Sequence, residues 1–146
     1  MSLENLEKIG RLKAHKAAPQ EVVRLIQSAA ASLADARRKE NSPNSRLDLA
    51  YKAIMQLSLA ALMANGYRPS TSEPGHQQTT IQTLPKTIGL PAEKTRLFDA
   101  FRRARNVADY EGDPVGEGLV KECIDAAEDL RADVLKWLKG NRPDLC

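Results

Sequence analysis

Leu47-Asp48-Leu49-Ala50-Tyr51-Lys52-Ala53-Ile54-Met55-Gln56-Leu57-Ser58-Leu59-Ala60-Ala61-Leu62-Met63-Ala64 decides the fold class. Leu47, Ala50, Ile54, Leu57, Ala61 and Ala64 recur at spacings of three and four, which lines them along one face of an α-helix. Ala53 and Ala60 broaden that face, so the helix needs more than one neighbour to cover it. The reading predicts a helix over roughly Pro43 to Asn65, with Gly66 as the stop.

Helical patterning continues on both sides. Leu3, Leu6, Ile9 and Leu12 recur every third residue after Ser2, a suitable N-cap, and Gly10 keeps this first segment short or frayed. Pro19 suits the first turn of a second helix carrying Val22, Ile26, Ala29 and Leu33 inward. The stretch Asn41-Ser42-Pro43-Asn44 reads as a turn. Tyr67 to Gly75, with two prolines and three hydroxyl residues, reads as a loop without regular structure. His76 to Ile88 reads as a shorter helix that Pro85 kinks or ends. Pro91 opens a helix with Leu97, Phe101, Ala104 and Ala108 inward, closed by Glu111-Gly112-Asp113-Pro114. A last helix from about Val115 to Lys139 turns Leu119, Cys123, Ala126, Leu130, Val134 and Trp137 inward, and Gly140 stops it. The expectation is an all-α, up-and-down bundle of four to five main helices. It occupies one domain, with 1–18 as a docking segment, 19–139 as the bundle and 140–146 as a tail.

Composition agrees. The chain has 146 residues, 28% charged, 42% hydrophobic and 4% aromatic. That excludes a disordered chain and favours small and aliphatic helix packing over a β-sandwich. A net charge of +3 does not by itself argue for nucleic-acid binding. Two cysteines, Cys123 and Cys146, cannot build a disulfide framework or a zinc site. Cys123 reads as a core residue, Cys146 as an exposed thiol. No secretory signal opens the chain, and the apolar run Leu57 to Ala64 is too short to span a bilayer. The expectation is a cytoplasmic protein without membrane contact. His15 and His76 are the only histidines, so a histidine-rich metal site is excluded, and no cofactor is expected. His15 reads as a surface residue.

One cluster carries candidate chemistry: Phe101-Arg102-Arg103-Ala104-Arg105-Asn106-Val107-Ala108-Asp109-Tyr110-Glu111-Gly112. Arginine forks match phosphate geometry. Asparagine adds a neutral donor and acceptor, and tyrosine can stack on a base or donate its hydroxyl. The bland alternative is an arginine-rich face paired with Asp99, Asp109 and Glu111. Arg105 borders the apolar arc beside Phe98, whereas Arg103 points away. Arg105 and Tyr110 stand about 140° apart on a continuous helix. They share one pocket if the helix ends near Asp109 or if a second subunit closes the site.

With Arg105-Asn106-Val107-Ala108-Asp109-Tyr110, the chain resembles the HEPN superfamily (higher eukaryotes and prokaryotes nucleotide-binding domains), whose hallmark is R-x4-6-H near the end of a late helix. Arg105 matches the arginine and Asn106 the polar residue after it, while Tyr110 stands where histidine is expected. The stretches Arg46 to Ala53 and Asn65 to His76 are similar to a bacterial subgroup, and the likeness spans about Pro19 to Lys139. The resemblance implies a helical dimer with Arg105, Asn106 and Tyr110 as the catalytic set of a metal-independent endoribonuclease. Arg102, Arg103, Arg105 and His76 would bind nucleotide or RNA phosphate. Tyrosine, with a reference pKa near 10, is a poor base at neutral pH, so whether the chain is an enzyme stays open. A second register, R-x4-A-x-Y on Arg103, Ala108 and Tyr110, would make tyrosine a target for nucleotidyl modification. It ranks lower, because Arg103 lacks the following Asn. Two function classes follow. One is a nucleotide- or RNA-binding protein, toxin-type ribonuclease or degenerate relative. The other is a non-catalytic interaction module for an antitoxin-like protein or regulator. A homodimer is expected from the likeness and from the broad apolar face of the Pro43 to Asn65 helix.

Overall fold

Alanine, leucine and isoleucine supply the packing surface, and the computed structural model places them in an all-α helical bundle. It describes residues 2–72 and 74–146. The elements are α1 (Leu3–Lys8), β1 (Leu12–Ala14), α2 (Pro19–Ala36), α3 (Pro43–Ala64), β2 (Tyr67–Pro69), α4 (His76–Gln82), α5 (Leu84–Thr87), α6 (Ala92–Glu111) and α7 (Glu117–Asn141). A 3-10 turn, Pro143–Leu145, follows.

Helix α3 is the axis of the bundle and packs against α2, α7, α6, α4 and α5. Leu47, Ala50, Ile54, Leu57, Ala61 and Ala64 are all buried, as are Ala53 and Ala60. The alanines let neighbouring helices approach closely. The fully buried Ile54 and Leu57 side chains each contribute about 1.5–3 kcal/mol of apolar transfer. By length and composition the whole 22-residue α3 could cross a membrane, unlike the shorter run Leu57 to Ala64 alone, but most of it is buried within this protein. Its broad apolar face is taken up by its own chain and leaves no surface for a second copy.

Two polar devices fix the helix order. Arg46, 8% exposed, donates from Nε to the Ala36 carbonyl at the end of α2 (2.7 Å) and from a terminal nitrogen to Glu117 at the start of α7 (2.8 Å). A helix end leaves carbonyls unpaired, so Arg46 caps α2 while it orders α7. Asn44 grips the connection between α6 and α7 from both sides: its Nδ2 donates to the Asp113 carbonyl (3.0 Å), and its Oδ1 accepts from the Val115 N–H (2.9 Å).

The structure corrects four expectations. Helix α1 stops at Lys8 because Gly10 turns the chain with φ 83°, and Ile9 lies exposed. Leu12–Ala14 then pairs antiparallel with Tyr67–Pro69, so the segment after Gly66 is partly ordered as strand. Proline argues against structure there only superficially. It biases the preceding Arg68 towards extended backbone, and it sits at the strand end, where a missing N–H costs little. The turn out of α3 rests on Gly66 at φ 93°. On α6 the inward residues are Phe98, Phe101 and Ala108, while Leu97 is 41% exposed. On α7 the buried line is Val120, Cys123, Ile124, Ala127, Leu130, Val134 and Leu138, with Leu119, Ala126 and Trp137 partly buried at its edge. Each helix is rotated slightly from its expected face.

Candidate functional site

Helices α3, α4 and α6 meet where the arginine cluster lies. Arg105 is on the inner arc of α6 with Phe98, Phe101 and Ala108, and its side chain is 27% exposed. Its Nε donates to Asp48 Oδ1 of α3 at 2.7 Å, and Asp109 Oδ2 stands 3.5 Å away. The guanidinium carbon lies 5.4 Å from the centre of the Tyr51 ring, a cation–π distance. Partial burial opposes the charge, but the hydrogen bond and charge of Asp48 outweigh it, and the Arg105 pKa stands above the ordinary arginine value.

Tyr51, 2% exposed, carries the network onward. Its hydroxyl donates to Gln77 Oε1 of α4 (3.1 Å). Burial pushes its phenol up to about 12, against a lowering influence from Arg105 and Arg102. A phenol held neutral in this way keeps its proton for Gln77 and serves as a spacer between α3, α4 and α6.

Arg102 and Arg103 share one carboxylate. Arg102 Nε meets Asp99 Oδ1 at 2.9 Å and Arg103 meets Asp99 Oδ2 at 3.0 Å. Arg103 is 71% exposed, whereas Arg102 is 19% exposed. Arg105, Arg102 and Arg103 therefore face Asp48, Asp109 and Asp99, and these six charges cancel formally. The fold nonetheless brings Arg102 to His76: both line a small cavity of about 180 Å³ with Gly75, Gln77 and Gln78. His76 also borders a second cavity, a polar one of about 170 Å³, with Arg11, Ser70 and Thr79.

The other expected partners are not brought together. Helix α6 runs unbroken to Glu111, and Gly112 ends it at φ 70°. The early end near Asp109 does not occur, so Arg105 and Tyr110 keep their ~140° separation. Tyr110 is 90% exposed. Asn106 is half-buried and turned about 100° from Arg105. One chain therefore turns Arg105 away from the face of α6 that Asn106 and Tyr110, four residues apart, share.

No family model, curated protein or solved structure matches the chain.

Two further residues have environments that the sequence does not disclose. His15 is half-buried, not a free surface residue: its Nε2 lies 3.0 Å from Glu21 Oε2, and Glu21 also accepts from the Ala18 N–H at 2.9 Å. Those two bonds hold the Glu21 carboxyl below its usual range, the backbone bond most strongly. Cys123 is buried and its thiol is raised to about 12 by that burial, which leaves it without thiolate character at neutral pH. Among the described residues no group of three or more His, Cys, Asp or Glu gathers to hold a metal ion. A larger cavity, about 490 Å³, lies elsewhere, between the Gly89 turn and the end of α7, with Lys94, Lys136 and Trp137 in its wall. Its signal in the sequence is the sole tryptophan one turn before Gly140, flanked by lysines.

Proposed function

We propose that this chain is a HEPN-like nucleotide- or RNA-binding protein that takes a phosphate between Arg102 and His76. The observation that carries the reading is the cavity that those two side chains share. Both are phosphate candidates in the sequence, and they come from different helices. Arginine offers five N–H donors in a planar fork. Asp99 occupies the Nε edge of Arg102, and the terminal nitrogens remain for two oxygens of a phosphate. Asp99 acts as a positioning residue, and Gln77 and Gln78 add neutral donors at the rim.

The reading is one of binding and not of cleavage. Arg105 is committed to Asp48, Asp109 and Tyr51, and Tyr110 faces solvent on another side. The ribonuclease step implied by the family resemblance has no assembled set of groups within one chain.

Fluorescence anisotropy with a labelled single-stranded RNA tests the proposal. A charge-assisted hydrogen bond contributes roughly 1.5–3 kcal/mol, so Arg102→Ala should weaken binding by about tenfold to a hundredfold. The slope of log affinity against log salt should flatten by about 0.7 for each phosphate that is no longer neutralised. His76→Ala should act in the same direction. Unchanged affinity in both variants refutes the proposal. A second reading, a helical interaction module, is favoured by the exposed apolar residues of α6.

A further inference from the structure

Trp137 is the chain's sole tryptophan, and it has two environments. It packs against the hydrophobic core, and it also walls the cavity of about 490 Å³ between the Gly89 turn and the end of α7. Leu90, buried, and Ile88, partly buried, line the same cavity. An aromatic ring and two aliphatic side chains thus offer apolar surface in a concavity of the size that takes small molecules. The flat indole suits another flat ring, stacked with an offset or set edge to face.

One position in the wall is costly for folding. Gly140, which the sequence offers as the stop of α7, lies inside the helix, which runs on to Asn141. Glycine within a helix is less stable than alanine. Crowding does not demand it, since a Cβ at position 140 would meet no atom within 4 Å, and its φ is not positive. Gly140 stands three residues after Trp137 and four after Lys136, so it neighbours both on the helix surface. Its missing side chain leaves the cavity open beside the ring.

The charges set the sign of the ligand. The start of α6 and the end of α7 both reach this cavity, and their dipoles oppose one another. The side chains therefore decide. Lys94 Nζ meets Asp133 Oδ2 at 3.3 Å, and these two offset each other. Lys136, exposed one turn beyond Asp133, has no carboxylate partner among the described residues. One positive charge is left beside an aromatic wall. The lysine ammonium is a point charge suited to a single carboxylate, and no arginine fork, the group that matches phosphate bidentately, stands among the lining residues.

We infer that this cavity is a second ligand site, built for a small aromatic carboxylate. The ring packs with Trp137, Ile88 and Leu90, and the carboxylate meets Lys136. The inference does not depend on the phosphate site, because the two cavities share no lining residue.

Titration of the isotope-labelled full chain with indoleacetate, indoleacetamide and tryptamine, three charges on one ring, tests it. The readouts are the single indole N–H signal of Trp137 and the backbone amides of Gly89 and Gly140. Indoleacetate should move them together to saturation. Indoleacetamide should bind about threefold more weakly, the modest worth of an exposed ion pair, and tryptamine more weakly still. Lys136→Glu should reverse the order of indoleacetate and tryptamine. Trp137→Leu, followed at the two glycines, should weaken indoleacetate by about fivefold. Gly140→Leu, which crowds the mouth, should weaken it by about tenfold and yet melt no lower than the wild type by circular dichroism. Absence of any shift with indoleacetate overturns the inference, as does equal affinity for the three compounds or an unchanged order in Lys136→Glu. These results leave the RNA-binding test untouched. Adenosine monophosphate should leave the Trp137 signal in place, and tighter binding there than indoleacetate also overturns the inference.

Discussion

Replacing Arg105 with alanine separates a structural arginine from a ligand-binding one. Three interactions vanish with the side chain. The first is the 2.7 Å bond to Asp48, a carboxylate 50% exposed, on an arginine 27% exposed. Solvent screening reduces such a pair to about 0.5–1 kcal/mol. The second is the contact over the Tyr51 ring, which contributes about 0.5–1 kcal/mol at a partly desolvated position. The third, to Asp109 at 3.5 Å and 58% exposure, adds next to nothing. Removing the aliphatic stem beside Phe98 and Tyr51 adds a small packing term. The total is about 1–2 kcal/mol, or roughly 3–8 °C in melting temperature for a domain of this size. Urea titration of Arg105→Ala, Asp48→Ala and the double variant gives the pairwise coupling. The expected coupling is about 0.5–1 kcal/mol, and RNA affinity should stay within about twofold of wild type for a correctly folded Arg105→Ala protein. A variant that unfolds like the wild type but loses RNA binding refutes this assignment and returns Arg105 to the site.

Three other outcomes are expected. Arg46→Ala should lower the unfolding free energy by about 2–3 kcal/mol, because it strips the Ala36 carbonyl of its charged donor in a buried place; Glu117→Ala, at 70% exposure, should cost under about 0.5 kcal/mol, and equal losses would contradict the capping role. Tyr51 titrates at about 12 in the folded chain against an ordinary 10, so its neutral form contributes stability in full below pH 10 and loses it as pH rises to about 12. The two-unit difference is roughly 2.7 kcal/mol, and urea unfolding from pH 9 to 12 should fall less steeply in Tyr51→Phe; identical slopes would refute the buried phenol. Trp137 of α7 lines a separate cavity with Lys94, which precedes Arg102 by about 12 Å of α6, so nucleotide bound at His76 should leave its fluorescence unchanged, whereas strong quenching would move the ligand to the larger cavity.

The sequence exposes what is local and periodic. The α3 stripe is legible because six apolar residues at helical spacing cannot be satisfied by another conformation. The β1–β2 pair is not, because three-residue strands carry no period and their partners lie more than fifty residues apart. The face of α6 is misread by one residue, Leu97 for Phe98, because the true arc passes through Arg105, whose charge disguises a half-buried position. Asp48 and the Tyr51 ring, both on α3, make that position acceptable, and such long-range pairs leave no mark in the spacing. The candidate site divides in the same way. Arg102 and His76 are identifiable as residue types, but their shared cavity depends on how α4 docks against α6. The separation of Arg105 from Tyr110 follows from helix geometry alone, and the unknown is where the helix stops.

Chemical-shift mapping with a nucleoside monophosphate tests the phosphate site most directly. The account predicts that amide shifts gather at His76, Gln77, Gln78 and Arg102 and saturate together, while the residues around Asp48 and Arg105 move little. Shifts centred on Asp48, Arg105 and Asn106, or none at any concentration of nucleotide, would contradict it.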